Sequence, residues 1–229
     1  MIGDTSFKRT RAAAITLVAL LVAGSAAREV AAGRAMARGD DRGFEPVQLR
    51  LDPAEPALGK ITAPLTMVEF TDYQCPYCRR FEAEVFPKLR HDYIDTGKLR
   101  FIARDLPLEI HAAAQPAAEA AHCAGEQGKF WEMHAALLGG AKDLADGGIE
   151  ARAKALGLDL QRFRACVAQG KYASVIEAHV READAVGITG TPGFVIGHAA
   201  HGELTGQRLE GAAPYDSFDS YLRELLARQ

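Results

Sequence analysis

Apolar and polar positions along the chain fall into blocks of different period. Val47-Gln48-Leu49-Arg50-Leu51 alternates apolar with polar residues, which predicts a short edge strand. After Pro53, Pro56 and Pro64 comes Leu65 to Phe70, with the length and apolar content of a buried central strand. From Arg79 to Tyr93 the period changes. Phe81, Val85, Phe86, Leu89 and Tyr93 form a helical stripe, and Pro87 predicts a kink near its middle because it lacks an amide donor. Leu99 to Arg104 alternates again and predicts a second strand.

From about His111 to 186 the pattern is wholly helical, with segments at 112–124, 130–138, 149–156, 158–167 and 172–186. Strand signals return at Gly193 to Gly197, followed by a turn over 198–202 and a partner strand at 204–209. Pro214 suits the first turn of a last helix carrying Phe218, Tyr221, Leu222, Leu225 and Leu226. The order strand–helix–strand, helical block, hairpin and helix predicts one α/β domain over 47–229 with a helical insertion at about 111–186.

Composition supports a folded domain and narrows its surroundings. A 229-residue chain that is 48% hydrophobic and 25% charged can bury a core without disulfides, and at a net charge of −3 no basic face argues for nucleic acid. Lys8, Arg9 and Arg11 precede an apolar run from Ala12 to Ala27 that ends in small residues, so 1–27 reads as a signal peptide or, if uncleaved, a membrane anchor. The run is shorter than the roughly 20 residues of a comfortable span. Residues 28–46 read as a flexible linker. Either fate of the leader places the domain outside the cytoplasm, where disulfides persist.

Chemistry concentrates at Cys75-Pro76-Tyr77-Cys78, between the predicted central strand and the helical stripe. With the helix starting at Pro76, unpaired amides and the dipole stabilise a Cys75 thiolate, while Cys78 lies one turn inside and suits a resolving role. Half of a zinc site is the rival reading, but the remaining cysteines, Cys123 and Cys166, are not a close-spaced pair. An unpaired thiol is disfavoured in an oxidising compartment. Cys123 and Cys166 therefore read as a structural disulfide closing a loop of about 44 residues, with free buried thiols as the alternative. Glu69 is the anomaly of the central strand, and alternation alone favours turning it toward solvent or an ion pair. Thr191-Pro192 precedes a buried strand, where base rates favour an ordinary trans proline. The seven histidines show no metal-ligand spacing and read as surface or capping residues, so no metal ligand is assigned.

The stretch APLTMVEFTDYQCPYCRRFEAEVFPKL resembles the active-site segment of DsbA-like thiol:disulfide oxidoreductases of the thioredoxin superfamily. AAEAAHCAGEQGKFWEMHAALL, LGLDLQRFRACV and VGITGTPGFVIG continue the likeness, which runs from about Val47 to the C-terminus. The resemblance implies a thioredoxin fold interrupted by helices and catalysis by Cys75 and Cys78. Glu69 becomes a buried acid that assists proton transfer, and Cys123–Cys166 a second, structural disulfide. Thr191 and a cis Pro192, with Pro76 and Tyr77, would bind substrate. It also implies a monomer without cofactor, oxidising reduced exported proteins and reoxidised by a quinone-linked membrane partner of the DsbB or VKOR kind. Gly193 departs from the frequent larger residue after the proline, which predicts a looser substrate groove. A reductase or isomerase is the first alternative, although such enzymes usually carry a dimerisation domain. A non-catalytic zinc or copper module is the second.

Overall fold

The computed structural model describes residues 45–140, 144–145 and 147–228. The signal or anchor reading of 1–27 lies outside these residues, as does all of the linker except Glu45 and Pro46. No helix among the described residues is long and apolar enough to cross a membrane.

Six strands form one mixed sheet: β1 (Val47–Arg50), β2 (Ala57–Leu58), β3 (Leu65–Thr71), β4 (Leu99–Asp105), β5 (Gly193–Ala200) and β6 (Glu203–Glu210), in the order β1-β6-β5-β3-β4-β2. β3 runs parallel to β4 and antiparallel to β5, so it is central, while β1 occupies an edge as its alternation suggested. The two-residue β2 on the other edge is too short to leave a periodic signal. β5 and β6 are joined by a tighter turn than expected, of His201 and Gly202 alone. Both residues have positive φ, 53° and 81°, the backbone that a two-residue hairpin of matching twist requires.

Every residue of β3 is buried, because helices and loops cover both faces of the sheet. Leu65 and Met67 join the larger apolar layer with Phe81, Phe101, Phe194 and Phe218, whereas Val68 and Phe70 join a smaller layer with Ala183, Val195 and Leu204. Strand parity therefore turns Glu69 into the larger layer, with Ala103 and Phe194 as its register partners. Burial of a central strand on both faces overrides the solvent-facing expectation for that residue.

The stripe after Cys78 breaks in two. Helix α1 (Pro76–Glu84) ends at Val85, and α2 (Phe86–Leu89) restarts with Pro87 in its first turn, where the missing amide leaves no bond unmade, before a π-helical turn over Arg90–Ile94. The block between β4 and β5 comprises α3 (Ala114–Gly125), α4 (Phe130–Gly139), α5 (Gly148–Ala155), α6 (Leu160–Ala168) and α7 (Ala173–Ala185). The last helix, α8 (Tyr215–Ala227), has Pro214 as its N-cap rather than inside its first turn. Phe218 from α8 packs against Phe81 and Phe194, at centroid distances of 5.6 and 5.1 Å, and so pins α8 to α1 and the sheet. Each such ring contributes about 1.5–3 kcal/mol through burial.

Candidate active site

The site is assembled at the C-terminal end of β3. Asp72, which follows the strand, is buried and orders the turn that leads to the cysteines. Its Oδ1 accepts from the Gln74 and Cys75 amides at 2.7 and 3.1 Å, an Asx turn. Its Oδ2 accepts from the Leu108 amide at 2.9 Å and lies 2.8 Å from His111 Nδ1. Gln74 Oε1 accepts from the Ala113 amide at 2.9 Å. The β4–α3 connection is thus strapped to the turn at three points.

Cys75 is the N-cap of α1, with no side-chain cap of its own, and Pro76 follows it. Orphan amides and the positive dipole end therefore face its sulfur. Its thiol is 3% exposed and lies 3.4 Å from the Thr191 carbonyl, to which it can donate. Hydrogen bonding from the Cys78 side chain outweighs burial and, with further bonds from the Thr191 side chain and the Cys78 and Tyr77 amides, brings the Cys75 pKa down to about 5. Cys78 behaves oppositely. It is fully buried, and burial, the hydrogen bond to Cys75 and the Glu69 charge push its pKa far up. The two sulfurs stand as free thiols with sharply different proton affinities.

Thr191–Pro192 is a cis peptide beside Cys75, as the resemblance implied and base rates did not. Pro76 and Tyr77 are exposed at the mouth, and the Arg80 guanidinium lies 5.4 Å from the Tyr77 ring centre. Gly193 is closed rather than loose: a Cβ there would meet Ile188 Cγ2 at 2.4 Å, so packing beneath the proline explains the glycine.

Glu69 is 1% exposed, and neither carboxylate oxygen has a hydrogen-bond partner among the described residues. Burial first, and the charge of Glu82 second, raise its pKa well above the ordinary carboxylate value. Burial thus favours its neutral, proton-carrying form, on the same side of β3 as Cys78. Glu82 is itself pushed up to about 7 by burial. Beside it, His134 is held down at about 4 by burial and lies 3.0 Å through Nδ1 from the Tyr73 hydroxyl. Asp72, Tyr73, Glu82 and His134 carried no signal in the sequence, because their partners sit on elements remote in the chain.

Cys123 and Cys166 are joined by a disulfide between α3 and α6 and are not available to a zinc site with Cys75 and Cys78. His122, His134 and His179 are buried rather than superficial.

The low Cys75 pKa gives the reduced protein a distinct pH dependence. A folded pKa near 5 lies below the unfolded value of about 8.5, so the thiolate stabilises the reduced fold above the unfolded value. That stabilisation is lost as pH falls through 5. The oxidised protein has no such group. Between pH 5 and about 8 the reduced protein should therefore gain urea resistance relative to the oxidised one. Iodoacetamide should alkylate Cys75 with a midpoint near pH 5. A midpoint near 9, or a reduced–oxidised gap independent of pH, would contradict the geometry.

The family described as Thioredoxin matches residues 51–215. The Na(+)/H(+) antiporter NhaA 3 of Salinispora tropica is 38% identical over 201 residues, covering 86% of this chain and 30% of the antiporter. The chain thus spans about 30% of the length of the antiporters it matches. Disulfide bond formation protein D of Bacillus subtilis is 51% identical over 47 residues, 20% of this chain and 21% of that protein. Among solved structures, α-DsbA1 of Wolbachia pipientis aligns with a TM-score of 0.71 and 27% identity, covering 79% of this chain and 94% of that one.

Proposed function

The chain belongs to the thioredoxin family, and from that premise we propose that it is an extracytoplasmic thiol:disulfide oxidoreductase that introduces disulfides into exported proteins through Cys75 and Cys78. One observation carries the reading: the Cys75 pKa is brought down to about 5 while that of Cys78 is driven up. A stabilised Cys75 thiolate favours the dithiol over the disulfide, so the disulfide is a strong oxidant. The same observation favours an oxidase over a reductase, whose attacking thiol needs a pKa nearer ambient pH.

The steps follow from the two sulfurs. A substrate thiolate attacks Cys75 of the disulfide, a substrate–Cys75 bond forms, and Cys78 leaves carrying the electron pair. Cys78 is a strong base in its buried position and takes a proton, for which Glu69 is the donor. A second substrate thiolate then attacks the substrate sulfur of the mixed disulfide. Cys75 departs as a thiolate, an easy leaving group at its low pKa. Thr191 and cis Pro192, with Pro76 and Tyr77, hold the substrate backbone beside Cys75. The enzyme acts as a monomer without cofactor, and a quinone-linked membrane partner returns the dithiol to the disulfide.

Equilibration of the Cys75–Cys78 pair with glutathione tests the assignment. The potential should fall nearer the about −120 mV of the strongest exchange oxidants than the about −270 mV of thioredoxin. A value at the thioredoxin end rules out the oxidase role.

A further inference from the structure

A second cluster of chemistry-bearing groups sits at the end of β4, outside the thiol site. Asp105, the last residue of β4, meets His122 from α3 and His179 from α7. The three are 2%, 6% and 5% exposed, so a carboxylate and two imidazoles share a site almost without water. Asp105 Oδ2 lies 2.7 Å from His122 Nε2 and 3.2 Å from His179 Nδ1, and one ligand atom of each residue lies within 4.8 Å of the others.

Hydrogen bonding alone leaves His179 in conflict. Its Nδ1 lies 3.2 Å from the Asp105 amide, which can only donate, and 3.2 Å from Asp105 Oδ2, which can only accept when ionised. One ring nitrogen cannot answer both. When Nδ1 accepts from the amide, its ring proton is on Nε2, and a bare nitrogen and a carboxylate oxygen confront each other. A cation held between Nδ1 and Oδ2 removes that repulsion by taking up the Nδ1 lone pair, which then no longer accepts from the amide.

We infer that Asp105, His122 and His179 form a binding site for a divalent transition-metal ion of the zinc class. Two imidazole nitrogens and one carboxylate oxygen suit such ions better than calcium or magnesium, which prefer all-oxygen sites. Zinc bonds of about 2.0–2.1 Å put neighbouring ligand atoms roughly 3.3 Å apart, so both short contacts need shifts of well under an ångström. The surroundings fit as well. His179 Nε2 faces Glu55 Oε1 at 3.9 Å, and Arg104 Nε holds that carboxylate at 2.5 Å. A carboxylate behind a ligating imidazole fixes its tautomer and raises its basicity. The His122 ring is held flat against Tyr172, at 4.9 Å and 19°, with Phe130 edge-on. Two cavities, of about 590 and 410 Å³, reach His179 and His122 respectively and provide ways in for an ion. Asp105 pairs with Thr71 in the sheet, so the ion would clamp α3 and α7 to the strand ends beside the thiol site.

Zinc chloride added to the full chain tests this, with Cys75–Cys78 oxidised and Cys123–Cys166 intact so that no thiolate competes. A chromophoric chelator should report one zinc held per chain. Glu55→Gln should weaken it by about 10- to 100-fold, and His179→Ala and Asp105→Asn should weaken it further. X-ray absorption of the wild-type zinc protein needs no variant, and should show two imidazoles in a nitrogen–oxygen shell. Failure to retain zinc, an affinity that His179→Ala and Asp105→Asn leave unchanged, or sulfur or fewer than two imidazoles in the shell would overturn the site.

Discussion

Cys75→Ser abolishes oxidation of a reduced model protein while leaving the far-UV spectrum of the domain unchanged, and below pH 5, where the thiolate adds no stability, its thermal midpoint stays close to that of the reduced wild type. The substitution exchanges sulfur for oxygen in a position that is 3% exposed and bonded only weakly to the Thr191 carbonyl, so little packing is lost. Chemistry is lost entirely. A serine hydroxyl is not ionised near neutrality and cannot take part in a disulfide. Cys78→Ser behaves differently, because the Cys75 thiolate can still attack a disulfide but no second enzyme thiol resolves the product. Mixed disulfides should therefore accumulate and appear as heavier bands on non-reducing gels. Glu69→Gln belongs to the same series. An amide cannot protonate the departing Cys78, so the first exchange step should slow on the order of 100-fold or more, with Cys75 alkylation unaffected. Full activity in Cys75→Ser would refute the catalytic assignment, and an unaltered first step in Glu69→Gln would remove the acid from it.

Removing the Cys123–Cys166 bridge should have the largest effect on stability. Its cysteines are separated by 43 positions, and opening a loop of that size costs roughly 4 kcal/mol in the chain-entropy account. For a domain of this size that corresponds to a fall in Tm of about 8–16 °C. The double change Cys123→Ala/Cys166→Ala is the appropriate variant, since reducing the wild type would also open the Cys75–Cys78 pair. Exchange activity at low temperature should survive, because the bridge joins α3 to α6 and touches neither reactive thiol. A fall below 2 °C by calorimetry would mean that the unfolded chain gains little freedom when the bridge is absent.

What could be read from the chain and what could not separate along physical lines. The strand-to-helix junction, the broken stripe at Pro87 and the hairpin were visible because each depends on neighbours in sequence. Cys75 at a helix mouth followed from the same local logic. Glu69 was harder, since alternation says which side of a strand a residue takes but not whether that side is covered. Only the packed layer of Phe81, Phe194 and Phe218 shows that the side of β3 taken by Glu69 is closed. Asp72 was invisible for another reason: its partners, Leu108 and His111, arrive from the connection after β4. The histidines illustrate the same limit. His122 and His179 are 57 positions apart by their numbers, and only the docking of α3 and α7 brings both to Asp105. Long-range convergence leaves no periodic trace.

The bridge between α3 and α6 also bears on how the protein comes into being. The chain is made with four thiols, and its core is complete only when two of them, Cys123 and Cys166, have lost two electrons and two protons to some acceptor. A protein proposed to supply disulfides is thus a client of the reaction proposed for it. Its first copies mature on an oxidant already present, and later copies can mature on earlier ones.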